Sequence, residues 1–299
     1  MSDGWPALEV ASWTPTRDTL HMWLQILGKQ RMTASPVLNH WWHSTLTVTA
    51  RGLTTGPLAA GNDVVDIELD LVAHRVVIRS STGDREDFSV IGRSVADFYA
   101  RIVRAQKDFG LPGLAHPSPN EVERAIPFAE DREHNTYDPA QAHTFWRQLL
   151  IADRLLRQLR SGFRGKASPV HFFWGAMDLA TTRFSGRPAP RHPGGAPNCP
   201  DRVMYEGYSE ELSSAGFWPG GGQEGAFYSY AYPPPEGFAS APVPEGSFWD
   251  DGLAEFLLPW ETARQSIDPD GLASEFLDAT AQAAMDLAQW PDRSGVAAY

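Results

Sequence analysis

The feature that most constrains the fold of this 299-residue chain is a phrase that occurs twice. Each copy runs Gly-Lys, Ser-Pro-Val, a histidine with two aromatic residues, Thr-x-Arg, glycine and proline, and the copies begin at Gly28 and Gly165. The offset between matching positions varies by only a few residues. Duplicated modules usually pack as a pseudo-symmetric pair, and the groove between them is a natural place for a pocket. The sequence therefore predicts two related modules with a pocket between them.

The order of predicted elements favours an α+β fold. Residues 17–32 repeat leucine and tryptophan at helical spacing, and residues 64–71 alternate apolar and acidic side chains as a strand does. Each half runs helix, antiparallel strands, helix, which argues against a parallel doubly wound sheet. We predict a first module over 1–110, a linker and connecting strand over 111–137, and a second module over 138–299, docked on the first as one compact unit.

The remaining elements follow from the same periodicities and from turn residues. We predict helices over 94–109, 138–162, 254–265 and 272–290, and strands over 45–51, 122–128, 170–182, 202–208 and 227–232. Two segments rich in glycine and proline, 185–200 and 213–222, are predicted to be long loops.

Composition excludes several classes of protein. The single cysteine, Cys199, rules out an internal disulfide framework and thiolate-rich zinc sites. A formal net charge of -12 argues against broad binding to nucleic acid or anionic membranes. No apolar run approaches the ~20 residues that span a bilayer, and the N-terminal residues do not have the pattern of a signal peptide. We expect a cytoplasmic protein that binds neither nucleic acid nor membrane; its oligomeric state is not predicted.

His40 and His171 occupy matching positions of the two copies and are candidates for acid–base chemistry near neutral pH. The structural alternative, imidazoles that are hydrogen-bonded where the copies meet, is the favoured interpretation. His43 lies three residues from His40, but no metal-binding motif is present, so we predict no metal site. The glycine-rich loops match neither a phosphate-binding nor a dinucleotide-binding motif, and the sequence identifies no cofactor.

Asp178 stands between Met177 and Leu179 in an apolar strand, where an unpaired carboxylate would be costly. Arg51 and Arg183 are its candidate partners, either in structural ion pairs or as a clamp for a ligand anion. Lys29, in the first Gly-Lys, would add a further positive charge to such an anion site.

The tryptophans give a third set of candidates. Most large aromatic side chains belong to cores, but a few that face a cavity would suit a sugar or aromatic ring. We select as ligand-binding candidates Trp42, Trp174 and Trp218.

Eight short motifs are spread along the chain: LHxW from Leu20, GKxR from Gly28, NHWWH from Asn39, TARGLT from Thr49, SPVHFFWG from Ser168, TRFSGR from Thr182, HPGG from His192 and SSAGFWPGGG from Ser213. With these motifs, the chain resembles a bacterial family known only as a domain of unknown function. The resemblance covers nearly the whole chain and implies no activity, cofactor or catalytic residue.

Two functions remain open at this point. The first is an enzyme for a small polar or anionic molecule, with His40 or His171 as general acid or base and Asp178 orienting a base. The second is a non-catalytic protein that binds a small, anionic or sugar-like molecule, or a partner, in an aromatic pocket. Both lead us to expect that one cavity is shared by the cationic or imidazole side chains of Lys29, Arg51, His171 and Arg183.

Overall fold

The computed structural model describes residues 4–291 and has an α+β architecture with two antiparallel six-stranded sheets. This confirms the predicted fold class. Two of the predicted helix starts are also confirmed, since the side chains of Ser94 and Asp138 accept backbone N–H groups at their helix N-termini. The helices are α1 (Val10–Ala34), α2 (Val95–Asp108), α3 (Pro139–Ser161), α4 (Asp201–Gly207), α5 (Trp260–Gln265) and α6 (Pro269–Leu287).

The first sheet comes from the N-terminal part of the chain. Its order is β1-β2-β4-β5-β6, and β3 pairs with β4. The predicted alternation holds in β4, where Val65, Ile67 and Leu69 are buried in the core. The strands are β1 (Thr47–Val48), β2 (Gly52–Thr54), β3 (Leu58–Ala60), β4 (Asp63–Asp70), β5 (Arg75–Ser80) and β6 (Arg85–Ser89).

The second sheet has the order β11-β12-β10-β9-β8-β7. Helices α3 and α6 pack against its central strands β8, β9 and β10. The opposite face of this sheet lines a cavity. The strands are β7 (His171–Phe173), β8 (Asp178–Pro188), β9 (Glu210–Trp218), β10 (Ala226–Tyr232), β11 (Phe248–Asp250) and β12 (Glu255–Pro259).

The internal duplication is not confirmed. The motif around His40 forms a 3-10 segment, Asn39–Ser44, in which His40 and Trp41 have positive φ angles. The matching residues around His171 form strand β7 instead. Strand β1 has only two residues, whereas its proposed counterpart β8 has eleven. The duplication therefore stays a prediction.

The expected connecting strand over 122–128 is absent, and residues 111–137 contain neither helix nor strand. Its backbone pairs with loops rather than with a sheet: the Glu121 N–H donates to Pro197 O and the Phe128 N–H donates to Pro117 O. Prolines within the segment remove donors that a strand would need. The result is an irregular segment that runs along the cavity.

Four other predictions are wrong in their element type. The strand over 202–208 is helix α4, and the helix over 254–265 is strand β12 followed by α5. Most of the loop over 213–222 is strand β9, and most of the strand over 45–51 is irregular. Gly216 explains the third case, because a Cβ there would lie 2.5 Å from the Tyr228 hydroxyl. Small residues in β9 permit tight cross-strand packing, although their composition is typical of a loop.

Candidate active site

A cavity of about 850 Å³ lies against the second sheet. Its walls come from α1, the 3-10 segment Asn39–Ser44, the irregular residues 116–125, the start of α4, and strands β7 to β10 and β12. Strand alternation selects the side chains that face it: Asp178, Ala180 and Thr182 of β8 line the cavity. Segments distant in sequence therefore meet around one space large enough for a small molecule.

Three carboxyl groups line this cavity: Glu121 in the irregular segment, Asp178 at the start of β8 and Glu255 at the start of β12. Burial raises the pKa of Asp178 to about 6. Burial, followed by repulsion from Asp178, raises the pKa of both Glu121 and Glu255 to about 7. Such groups hold and release protons near neutral pH, which is what acid–base catalysis requires.

The three carboxyl groups differ in their partners. Asp178 Oδ2 accepts a hydrogen bond from the Tyr228 hydroxyl. Among residues 4–291, no group donates a hydrogen bond to the carboxylate of Glu121 or Glu255. Both side chains are half-buried, and polar groups withdrawn from solvent are usually hydrogen-bonded in proteins. Two carboxyl groups are therefore left available to a ligand.

Tyrosine hydroxyls continue the polar lining beyond Asp178. The Tyr208 and Tyr230 hydroxyl oxygens are 3.0 Å apart, and the Tyr228 and Tyr230 rings stack in parallel. Burial raises the pKa of Tyr208, and it raises that of Tyr228 and Tyr230 well above the ordinary value. These hydroxyls stay protonated and act as hydrogen-bond donors in the cavity.

Lys29 of α1 also reaches the cavity wall and is 2% exposed. Its Nζ donates to Asn120 Oδ1 and lies 5.4 Å from the centre of the Trp174 ring. Burial lowers the pKa of Lys29 to about 8. The cavity thus combines carboxyl groups and an amine that all titrate near neutral pH.

Two glycines permit close approaches at this site. A Cβ at Gly28 would lie 2.0 Å from the Trp174 ring, and a Cβ at Gly175 would lie 2.2 Å from Glu121 Oε1. Larger residues at these positions would displace the indole or the carboxylate. The glycines of the GKxR and SPVHFFWG motifs therefore help to shape the cavity wall.

Unusual backbone conformations are concentrated around the cavity. Positive φ angles occur at His40, Trp41, Glu121 and Asn198, which line it, and at Met177, directly before Asp178. Each such conformation costs a non-glycine residue about 1–3 kcal/mol and persists where the surrounding structure enforces it. Residues of this kind are frequent at functional sites.

The cavity brings together six of the nine residues that the sequence selected. Three others, Arg51, His171 and Arg183, do not line it, so the expectation that they share one cavity with Lys29 is wrong. The six that do line it are Lys29, His40, Trp42, Trp174, Asp178 and Trp218.

Each of the three absent residues has a structural explanation. Arg51 lies on the first sheet, half exposed, with its Nε 2.6 Å from Asp70 Oδ2. Arg183 points to the opposite face of β8 because side chains alternate along a strand, and it donates to Leu159 O of α3. Asp178 therefore pairs with Tyr228 and with neither arginine.

His171 is buried beneath the cavity wall. Its Nδ1 lies 3.1 Å from Thr45 Oγ1, and its ring packs edge-on against Phe173. Burial lowers the pKa of His171 to about 3, so the ring is neutral over the physiological range. A general-acid role for His171 does not fit this environment.

His40 lines the cavity, but both of its ring nitrogens have partners. Lys166 Nζ donates to His40 Nε2 over 2.8 Å, which leaves Nδ1 as the donor to the Glu206 and Gly207 carbonyls. Burial, then the charge of Lys166, lowers the pKa of His40. The contacts favour a structural role at the cavity rim.

The described part of the chain offers neither a metal site nor a reactive thiol. Within residues 4–291, no group of three or more His, Cys, Asp or Glu side chains is arranged to hold a metal ion. Burial raises the pKa of the cavity-lining Cys199 to about 11, so the thiol is protonated. Over the same residues, no helix is long and apolar enough to cross a membrane.

The comparisons with known proteins place the chain in a family without indicating an activity. The model of DUF5996, a family of unknown function, matches residues 5–296, and the chain belongs to that family. No curated protein and no solved structure matches the chain significantly.

Proposed function

We propose that this member of the DUF5996 family is an enzyme that performs acid–base chemistry on a small polar molecule bound in the cavity. Glu121 and Glu255 act as the proton donor and acceptor, and Asp178 with Tyr228 positions the substrate. The observation that carries the proposal is that Glu121 and Glu255 face the same cavity with raised pKa values, and that their carboxyl groups accept no hydrogen bond from the described residues.

The lining favours neutral, hydroxyl-bearing or cationic ligands over strongly anionic ones. Three carboxyl groups face the cavity, and two of the three expected anion-binding cations, Arg51 and Arg183, lie elsewhere. Aromatic side chains such as Trp42 and Trp218 provide faces on which a ring can stack. Of the two ligand classes expected from the sequence, the sugar-like class is therefore the better supported.

The unpartnered carboxyl groups also favour an enzyme over a binding protein. A binding site for a neutral ligand gains little from burying carboxyl groups at a cost in stability, whereas proton transfer requires groups whose pKa lies near the working pH. Strained or destabilising features of this kind are retained where they serve a reaction.

The test begins with a thermal-shift screen of hydroxylated ring compounds, amines and carboxylic acids at pH 6.5. Compounds that raise the unfolding midpoint are then incubated with the wild type and analysed for turnover. The decisive variants are Glu121→Gln and Glu255→Gln, which keep the shape of the side chain but remove its proton transfer. The exposed Glu130→Gln serves as a matched control.

The proposal expects turnover by the wild type and the Glu130 variant, with retained binding but lost turnover in the two cavity variants. Binding without turnover by the wild type would overturn it in favour of a binding protein. Turnover that survives both cavity substitutions would also overturn it.

A further inference from the structure

The side chain of Lys29 has an unusual environment for a buried amine. It is 2% exposed, and in the described part of the chain no carboxylate lies within ion-pair distance of its Nζ. Its hydrogen-bond partner is the neutral side chain of Asn120, and the Trp174 ring covers one side. Buried lysines usually pair with a carboxylate. Lys29 instead lines the cavity.

The other lysines of the chain are placed differently. Lys107 is exposed near the end of α2, and Lys166 is paired with Glu210. Since the chain contains only these three lysines, their environments can be compared directly. Lys29 alone combines burial, a neutral partner and direct contact with the cavity.

We propose that Lys29 is a nucleophilic amine that condenses with the carbonyl group of an aldehyde or ketone in the cavity to form an imine. The inference rests on the proposed function only in that it uses the same cavity. It adds a substrate class, carbonyl compounds, and a covalent intermediate held on α1.

The reaction balances without any redox partner. The Nζ lone pair attacks the carbonyl carbon, so a C–N bond forms while the C=O π bond breaks. The nitrogen then gives up a proton and the former carbonyl oxygen takes one, which leaves a neutral carbinolamine. The resulting carbinolamine then breaks its C–O bond, the hydroxyl leaves as water after taking a second proton, and an iminium ion remains on Lys29. Hydrolysis reverses the same steps and releases the free amine.

Glu121 is suited to carry the protons in these steps. It lines the same cavity, and its charge interacts with that of Lys29. Its carboxyl group receives no hydrogen bond from the described residues, so it is free to give a proton to the leaving hydroxyl. The positive φ of Glu121 and the close approach to Gly175 fix where this carboxyl group lies.

The protonation state of Lys29 supports the proposal. A pKa of about 8 leaves roughly a tenth of the amine neutral at pH 7, against about one part in three thousand for an ordinary lysine. Desolvation in an apolar pocket is an established way of activating a lysine nucleophile. Here the indole of Trp174 and the wall of α1 provide that environment.

Reductive trapping tests the inference on the full chain. The wild type is incubated with glycolaldehyde and sodium cyanoborohydride at pH 7, and the rate of modification at each lysine is measured by peptide mass mapping. We expect Lys29 to be modified about tenfold or more faster than the exposed Lys107. Equal rates, or no adduct on Lys29, would overturn the inference.

Variants separate the chemistry from effects on folding. Lys29→Arg is expected to abolish the rapid adduct while the adduct rates at Lys107 and Lys166 stay unchanged, which also reports that the fold is intact. Glu121→Gln is expected to slow the adduct at Lys29, whereas Glu130→Gln leaves its rate as in the wild type. A Glu121→Gln rate equal to the wild type would overturn the assigned proton transfer.

The two proposals fail in distinguishable ways. If Glu121→Gln and Glu255→Gln lose turnover but Lys29 forms no adduct, the acid–base function stands and the imine is excluded. If Lys29 is trapped rapidly but a substrate found by screening is turned over equally by both glutamine variants, the imine stands and the assigned acid–base residues are wrong.

Discussion

The acidic side chains of the first sheet and the glutamates that line the cavity differ in their partners. On the first sheet carboxylates are paired across strands: Arg79 binds Asp66 and Glu68 at 2.9 and 2.8 Å. Beside the second sheet, Glu121 and Glu255 face a cavity without a hydrogen bond from residues 4–291. Glu68 and Asp70 of the first sheet are buried and paired, whereas Glu121 and Glu255 are half-buried and lack such partners among the described residues.

The difference teaches that burial alone does not mark a functional carboxylate in this fold. Glu68 is 7% exposed, but it accepts hydrogen bonds from Thr49 and Arg79 and does not line the cavity beside the second sheet. Glu121 is less buried but combines a cavity, a strained backbone and a raised pKa. Glu68 and Glu121 therefore differ in whether a ligand can reach the carboxyl group.

The largest expected effect concerns catalysis. With a substrate from the screen, Glu121→Gln is expected to lower kcat about 100-fold or more, because general acid–base groups typically contribute at least that factor. Glu68→Gln on the first sheet is expected to change kcat less than about twofold, since Glu68 lies outside the cavity. Steady-state kinetics of both variants measure the contrast, and comparable losses in the two would remove it.

The next effect concerns stability. Asp70→Ala on the first sheet is expected to lower the free energy of unfolding by about 2 kcal/mol, because two backbone N–H groups and the Arg51 guanidinium lose a buried, charged acceptor. Asp70 Oδ1 accepts the Val72 and Ala73 N–H groups at 2.9 and 2.8 Å. Urea unfolding provides the measurement, with Asp70→Asn as the control that keeps an acceptor oxygen. A loss of the same size in Asp70→Asn would argue against the hydrogen bonds as the cause.

A smaller effect of opposite sign is expected in the cavity. The folded pKa of Glu255 is raised from 4.5 to about 7, so its stabilising contribution is present below 4.5 and is lost as pH rises through 7. Glu255→Gln is therefore expected to be more stable than the wild type by about 1 kcal/mol above pH 7. Unfolding curves from pH 4 to 8 measure the change, and a difference that is independent of pH would contradict it.

The smallest effect is expected at an exposed pair of the first sheet. Arg75 Nη1 lies 2.7 Å from Asp87 Oδ2, with the two side chains 41% and 31% exposed. Arg75→Gln is expected to lower stability by about 0.5 kcal/mol or less, because solvent screens such pairs. The effect should disappear in about 1 M salt, where the Debye length falls to ~3 Å. A larger, salt-independent loss would mean that surface pairing carries more energy here than expected.

The fold was predictable where local signals agree with tertiary structure. Helices α2 and α3 follow from apolar periodicity together with the capping residues Ser94 and Asp138. Strand β4 follows from its alternation. Strand β9 could not be predicted because its Ser-Ser-Ala-Gly composition reflects tight contact with neighbouring strands, which periodicity does not report.

The candidate site was only partly predictable for a related reason. Lys29 was selected through the repeated phrase, Asp178 through its place in an apolar strand and Trp174 among the tryptophans. Glu121 and Glu255 carry no motif. Glu255 was missed because residues 254–265 were predicted to form a helix. The short apolar run that follows Glu255 and ends at Pro259 is also typical of a strand. Arg183 points to the face of β8 opposite to Asp178 because side chains alternate along a strand. This orientation could have been derived from the sequence once β8 was recognised as a strand.

A single hydrophobic core packs against both sheets. One continuous cluster contains Leu24 of α1, Ile67 of β4, Leu149 of α3 and Phe217 of β9. Elements that share such a core lose their packing together, so the chain should unfold as one cooperative unit rather than as two separable halves. Because the cavity walls belong to the same unit, a molecule that binds the folded cavity would stabilise the whole protein against unfolding. Binding of a ligand to a few cavity side chains would therefore raise the unfolding temperature of every helix and strand.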